Sequence, residues 1–572
     1  MTSKKIAAIL AIIFIVSFAA ACSKPYEGPP ADFVIKNAKI VTIDKDNPRA
    51  EAVAVIGESI IAVNSNKKIE QYVEEGKTRV IDAKGRLVVP GFNDAHIHFL
   101  SGGQSMMNLD FRYVHDVKTI QKMVAEKVKE SKPGELIRGG GWEHETFPDK
   151  KWPTKEILDE VAPNNPVMLS RADGHSAWVN SYVIKMSGIT KDTSDPPNGT
   201  IVKDPVTGGP TGIFKEGAQR LLKARSSVRL TPEEVAARAD KALELALEAA
   251  RKTGVTSIQQ LNGGYEQFQR FKDEGRLTLR VTFNMALPDK EESLKDLDRL
   301  RQRFPHEDNW IRFGYLKGYM DGTLGSGTAL MFEPFNDDPG TSGLPMLPYE
   351  EFERRIVAAD AMGFQIGIHA IGTKANNWVL NAVEKAQQVN GKRDSRHRSE
   401  HAQILLLSDI PRFAELEVIA SMQPTHCITD KRFAEKRIGL ERCKGAYAWQ
   451  SLLKAGVRVA FGTDWSVEPI DPLEGLYASV TRKDRAGEPG EGWFPEQKLS
   501  MEKAIELYTL GAAFAEFTED RKGMIRKGYL ADMVIFNNDL MTIPHDQIMP
   551  SKVDYTIVGG KVVYQREGID LP

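Results

Sequence analysis

His96 and His98 stand two apart in the run Pro90-Gly91-Phe92-Asn93-Asp94-Ala95-His96-Ile97-His98. In an extended strand, residues two apart point to the same face, so both imidazoles project to one side. That is the geometry two ligands of one divalent ion require. A lone His-x-His arises often by chance. Here, however, other runs end in residues of the same chemistry: His369 closes Ile366-Gly367-Ile368, His401 closes Arg398-Ser399-Glu400, and Asp464 closes Val459-Ala460-Phe461-Gly462-Thr463. Imidazoles and a carboxylate together hold metal ions that supply hydroxide near neutral pH. Lys317 ends a further run that begins at Ile311 and is followed by Asp321-Gly322. A lysine in such a place is either a reactive group, tuned by burial, or a structural ammonium.

Such residues converge only if the elements carrying them are parallel strands. Strand-like segments recur at 87–98, 256–261, 279–287, 311–319, 364–370, 398–403, 418–423 and 457–464, with helical stretches between most of them. One helix start is sharply marked by Thr231 as N-cap, Pro232 at the first helical position and Glu234 completing a capping box, with a stop at Gly254. Repeated strand–helix units of this number predict an α/β fold, a (β/α)8 barrel whose strand C-termini gather at one mouth. Residues from about 101 to 229 fit no single unit and read as a large insertion after the first strand. Both chain ends are β-rich. Phe33-Val34-Ile35 and Ile40-Val41-Thr42-Ile43 read as one hairpin, 52–55 and 60–63 as a second around Gly57-Glu58, and 555–558 with 561–564 as a third around Gly559-Gly560.

The flank Pro-Gly-Phe-x-Asp-x-His-x-His resembles the first-strand motif of the amidohydrolase superfamily. Asp173-Gly174-His175 with Asn180-Ser181, the stretch from Lys317 to Asp321-Gly322, Glu441-Arg442 and Gly462-Thr463-Asp464 are similar to amidohydrolase family 3, a branch that includes N-substituted formamide deformylases. The likeness covers nearly all of the chain after residue 31. It implies a TIM barrel over 89–521 and a composite β-sandwich built from 32–88 and 522–572. It also implies a metal site of one or two divalent ions, with His96, His98, Lys317, His369, His401 and Asp464 as ligands. Lys317 would react with CO₂ to give a bridging carbamate. Zinc is the expected metal, although iron, manganese and nickel suit the same ligand types. Asp464 would serve as proton carrier, and Asp94 and Glu400 lie close enough in sequence to orient the histidines. His175, Asp321 and Arg442 are candidates for substrate contact, with a cap, core or salt-bridge role as the alternative reading.

The activity this implies is hydrolysis of a non-peptide C–N bond, of amide or N-substituted formamide type, in a small molecule by metal-activated hydroxide. Two rivals share the scaffold. A deaminase of the superfamily carries a glutamate just after the fifth-strand histidine, whereas His369 is followed by Ala370-Ile371-Gly372-Thr373. A non-catalytic, membrane-tethered binding protein has no need of the full ligand set.

Composition narrows the setting. With 572 residues, 41% of them apolar, a large core is available. Lys plus Arg is 76 against 78 for Asp plus Glu, a net charge of −2 that gives no footprint for nucleic acid. Lys4 and Lys5 precede an apolar run to Ala21, and Ala19-Ala20-Ala21-Cys22 resembles a bacterial lipoprotein cleavage box. The expectation is a signal peptide over 1–22, a lipid on Cys22 and a tether over 23–31. The enzyme would then be exported and membrane-anchored, with Ser23 fitting outer-membrane sorting in a Gram-negative cell. Cys427 and Cys443 read as buried small hydrophobes; their pairing and self-association of the chain stay open.

Overall fold

The computed structural model describes residues 26–112, 114–171, 176–196, 199–225, 228 and 231–569. Eight parallel strands form one sheet in chain order: β1 (Phe92–Ile97), β2 (Val255–Gln260), β3 (Arg280–Ala286), β4 (Ile311–Tyr319), β5 (Ile366–Ala370), β6 (Arg398–His401), β7 (Ile419–Met422) and β8 (Val459–Phe461). They are buried almost throughout, because helices cover the outside of the sheet and side chains fill the inside. The sheet closes where the chain leaves β8. Asp464 N–H donates to the His96 carbonyl at 2.8 Å, and His98 N–H donates to the Trp465 carbonyl at 2.6 Å. The fold is a (β/α)8 barrel with additional β structure, as the spacing predicts.

Three helices flank the mouth of the barrel or its insertion. Helix α1 (Phe99–Ser105) begins immediately after His98. Helix α2 (Pro232–Thr253) has the expected reciprocal capping box between Thr231 and Glu234, and Gly254, in the left-handed region at φ 80°, ends it. Helix α3 (Pro424–Cys443) follows β7, and holds Cys427 and Cys443 near its two ends, both buried and free.

The chain ends build two further sheets. One joins Ser59–Asn64, Ala52–Ile56, Phe33–Lys36 and Arg79–Asp82; the other runs from Lys561–Gln565 through Val553–Val558, Met533–Phe536, Leu87–Pro90 and Lys39–Val41 to Arg49–Ala50. Phe33, Val53 and Ile81 of the first pack with Val88, Met533 and Ile557 of the second in one core. The hairpins around Gly57-Glu58 and Gly559-Gly560 form as expected. The first expected hairpin does not. Phe33–Lys36 pairs with Ala52–Ile56 and Arg79–Asp82, and Lys39–Val41 lies in the other sheet, because Asn37 at φ 53° turns the chain between them. The apolar run 87–98 is likewise two strands. It breaks at Gly91, where a Cβ would collide with Thr256, so Leu87–Pro90 serves an end sheet and Phe92–Ile97 the barrel.

Between α1 and α2 the chain forms a sheet of its own, in the order Gly199–Lys203, Pro210–Glu216, Ser176–Val179, Val167–Arg171, Ile137–Trp142 and Leu109–Asp110. It packs with helix Val117–Glu130 around Phe111, Trp142 and Trp178. Among the described residues no helix is long and apolar enough to cross a membrane. Residues 1–25, with Cys22, lie outside the described residues.

Gly462 makes the barrel closure possible. A Cβ there would lie 2.6 Å from the His96 amide nitrogen and 2.7 Å from Asp94 Oδ1. Gly462→Ala therefore forces β8 away from β1, with an expected cost of about 1–3 kcal/mol and reduced metal retention. Urea unfolding and metal analysis check this; wild-type stability and metal content would contradict it.

Candidate metal centre

The strand ends bring His96, His98, His369, His401 and Asp464 to one mouth of the barrel. The His401 ring lies 4.7 Å from that of His96 and 4.5 Å from that of His369, and His96 lies 6.0 Å from His98, between centroids. Ligand atoms of His96, His401 and Asp464 all fall within 4.8 Å of one another. His96, His401 and Asp464 are buried, while His98 and His369 are part-exposed and face the opening. His401 and Asp464 both have left-handed backbones, at φ 78° and 58°. Non-glycine residues adopt that conformation at a cost that surrounding structure must over-determine, and such residues cluster at functional sites.

Hydrogen bonds select which nitrogen three of these histidines present. His96 Nδ1 is 2.5 Å from Glu400 Oε2, so Nδ1 donates and Nε2 is left with its lone pair. His401 Nδ1 donates to Gln423 Oε1 at 2.8 Å, also freeing Nε2. His369 Nε2 donates to the Gly322 carbonyl at 3.0 Å, freeing Nδ1. Burial holds all four imidazoles in the neutral, lone-pair form: His98 is lowered to about 4, His369 to about 3, His96 falls below its ordinary value and His401 well below. Of the two carboxylates nearby in sequence, Glu400 orients a histidine, His96. It is itself held at 2.7 Å by the fully buried Arg398, and, although burial opposes ionisation, that guanidinium keeps its carboxyl below the ordinary range. Asp94 instead accepts from the backbone of His96 and Thr463 and from the Thr463 hydroxyl, tying β1 to the turn after β8.

Asp464 is the centre of the arrangement. Its Oδ1 has no hydrogen-bond partner although buried, and lies 3.6 Å from His96 Nε2 and 3.4 Å from His98 Nε2. An orphaned carboxylate oxygen beside the free lone pair of His96 and the ring of His98 fits a cation in their midst. Its Oδ2 is 3.2 Å from His426 Nε2, and His426 Nδ1 is 3.2 Å from Glu468 Oε1. Both ring nitrogens of His426 thus face carboxylates. Burial favours its neutral form, but the bonds to Asp464 and Glu468 outweigh this and raise its pKa well above the ordinary value. For Asp464, burial alone would raise the pKa; the bond from His426 is the chief cause that holds it down at about 2. In the sequence, His426 stands out only as a neighbour of Cys427. The available signal is Pro424, which starts α3 directly at the end of β7 and so places His426 at the mouth.

Lys317 is buried on β4 beside this cluster, with its ammonium 4.9 Å from the Tyr319 ring centroid. Burial lowers its pKa to about 8, the carboxylates of Glu400 and Asp464 opposing the shift. Asp321 is buried and turned to backbone: it accepts from the amides of Leu330 at 2.8 Å, Ile371 at 3.0 Å and Gly372 at 2.8 Å, fastening the loop after β4 to the loop after β5. The Arg442 guanidinium is engaged by the Ile438 carbonyl at 2.6 Å, the Glu333 carbonyl at 3.2 Å and Asn336 Oδ1 at 2.7 Å, which pin α3 to that same loop. The Arg442 guanidinium is thus committed to the loop, while Asp321 Oδ1, besides accepting from the amides, lies 3.7 Å from His369 Nε2. His175 lies outside the described residues.

Comparison with known proteins places the chain in a family. The profile of an amidohydrolase family matches residues 79–564. The chain is similar to "Protein LONG AFTER FAR-RED 3" of Arabidopsis thaliana, with 33% identity over 94% of this chain and 93% of that one. It is 27% identical to an N-substituted formamide deformylase of Arthrobacter pascens, over 94% of this chain and 99% of the relative. Among solved structures, an uncharacterized metal-dependent hydrolase from Pyrococcus horikoshii superimposes with a TM-score of 0.71 at 25% identity, covering 90% of this chain and 99% of that one. The family match spans all eight barrel strands, and the chain belongs to the amidohydrolase family of metal-dependent hydrolases.

Proposed function

We propose that the protein hydrolyses a non-peptide C–N bond of a small molecule, an amide or N-substituted formamide. The observation that carries this is Asp464, a buried carboxylate with one oxygen orphaned among ligand imidazoles and the other held by His426. Similarity to an N-substituted formamide deformylase supports the bond type. His96, His98, His369, His401 and Asp464 would hold the divalent ion, zinc in this proposal. Lys317, once carboxylated, would offer two anionic oxygens to bridge a second ion. A bound ion of this kind lowers the pKa of water toward about 7 and polarises a carbonyl.

The chain's own residues do the rest. Asp464 Oδ1 takes the proton from the attacking water and returns it to the departing nitrogen. His426, anchored by Glu468, which also accepts from Thr429 Oγ1 at 2.7 Å, fixes Oδ2 and stops the carboxylate from turning. Tyr319, at the end of β4 and 41% exposed, stands 5.7 Å from the His369 ring, where a substituent on the substrate would pack. The residues after His369 offer no deaminase glutamate: the Ile371 and Gly372 amides there are engaged by Asp321. The proposal extends to export and a lipid tether at Cys22, for which the support is the sequence of residues 1–22.

The direct test is a screen of metal-loaded protein on N-substituted formamides and N-acyl amines, scored by amine release. Inactivity on amides, esters and amidines alike would favour a binding protein, and ammonia release from amidines alone would favour a deaminase. Asp464→Asn is expected to keep most metal and lose about 10²–10⁴ in kcat; near-normal turnover would remove its proton-transfer role. Lys317→Ala should lower metal occupancy, with short carboxylic acids restoring part of it; unchanged occupancy counts against a bridge. His426→Asn is expected to cost about 10–100-fold in kcat with metal retained, as loss of an orienting partner does. Wild-type kcat in that variant would assign His426 no part in turnover.

A further inference from the structure

A cavity of about 420 Å³ opens between α2 and the segment inserted after α1, away from the metal ligands. Lys127 and Arg138 line it from the insertion, Arg238 and Lys241 from α2. Glu135 is the one acid among its described lining residues, and it pairs with Arg238 at 3.4 Å. Lys127 is drawn off in part by Glu130 at 3.3 Å. Among the described residues, Arg138 reaches only the Ala224 carbonyl, at 3.4 Å, and Lys241 has no ion pair. A chain with a net charge of −2 thus gathers four cations against one carboxylate around a single cavity. Leu136, Ile137 and Leu245 supply an apolar wall beside them.

We propose that this cavity binds an amphipathic anion, an organic phosphate with a short apolar body. Unpaired ammonium and guanidinium donors recognise the phosphate oxygens, the guanidinium through paired N–H groups. The apolar wall takes the body, so that a bare phosphate binds more weakly than an alkyl phosphate. The ligand ties three elements together. Met106 and Met107, which follow α1, line the cavity with α2 and the insertion. Gly103 of α1 sits against the Ala242 carbonyl of α2, so tightly that a Cβ would collide, one residue from Lys241. Because α1 starts at His98, the site lies one short helix from a metal ligand. The same phosphate chemistry can come from a soluble metabolite or from an anionic lipid headgroup, and the experiment separates the two.

Calorimetric titration of the metal-loaded full chain with inorganic phosphate and with n-hexyl phosphate, at low and high salt, reads the site directly. Saturable binding is expected, tighter for hexyl phosphate and weakened by salt. Lys241→Met and Arg138→Gln, both at exposed positions, should each weaken it by at least about tenfold, the scale of one charge-assisted contact. Sedimentation with phosphatidylglycerol against phosphatidylcholine vesicles forms the second arm. Charge-selective vesicle binding that these substitutions abolish, without binding of soluble phosphates, identifies a lipid headgroup; binding of hexyl phosphate identifies a soluble ligand. Absence of saturable binding in both arms, or binding that both substitutions leave unchanged, overturns the proposal.

Discussion

Asp464 is a carboxylate almost wholly removed from water, and a charge in that position persists only if its surroundings replace the lost hydration. His426, backed by Glu468, serves one oxygen, and the other lies between His96 and His98, where a bound cation would serve it. That one constraint reaches through the whole mouth of the barrel. It requires β8 to lie against β1, which Gly462 permits. It also requires the chain to turn through a left-handed residue at Asp464 itself.

The layer beneath the ligands meets a second charge problem with the same means. Glu400 and Arg398 are both fully buried and paired at 2.7 Å, and Arg398 also donates to the Ala95 carbonyl at 2.6 Å and to Ser421 Oγ at 2.8 Å. Removing one member of such a pair strands the other, which is far more costly than exchanging both for apolar groups. The return is a His96 ring whose tautomer is fixed before any ion arrives. Three backbone amides that donate to Asp321 do similar work for the loops, holding the segment that follows β4 over the C-terminal end of β5. At the opposite end of the barrel, Arg312 and Lys522 close on Glu516 at 2.9 Å and 2.5 Å, so buried ion pairs tie the strands together there as well.

The residues gathered at the mouth were legible because their signal is local. A strand with period two and a histidine at its end carries its meaning within a few residues, as at His96, His98, His369 and His401, and Thr231 with Glu234 announces α2 in the same way. What stayed hidden depends on distant partners. The role of His426 needs Glu468, on the far side of β8, and Asp321 needs amides nine, 50 and 51 residues onward. Hydrophobicity was also silent about sheet membership. The apolar run 87–98 continues across Gly91, although its two halves serve different sheets, and only the left-handed turn at Asn37 parts the first two end strands.

If these side chains meet around an ion, anomalous diffraction from crystals of the full chain, collected across the zinc, iron, manganese and nickel edges, will locate it. The expected result is a peak bounded by His96 Nε2, His98 Nε2, His369 Nδ1, His401 Nε2 and Asp464 Oδ1, with added density on Lys317 Nζ if a second ion is bridged. The absence of an anomalous peak among these atoms, with Asp464 Oδ1 satisfied by a protein donor instead, would contradict a metal centre at this mouth.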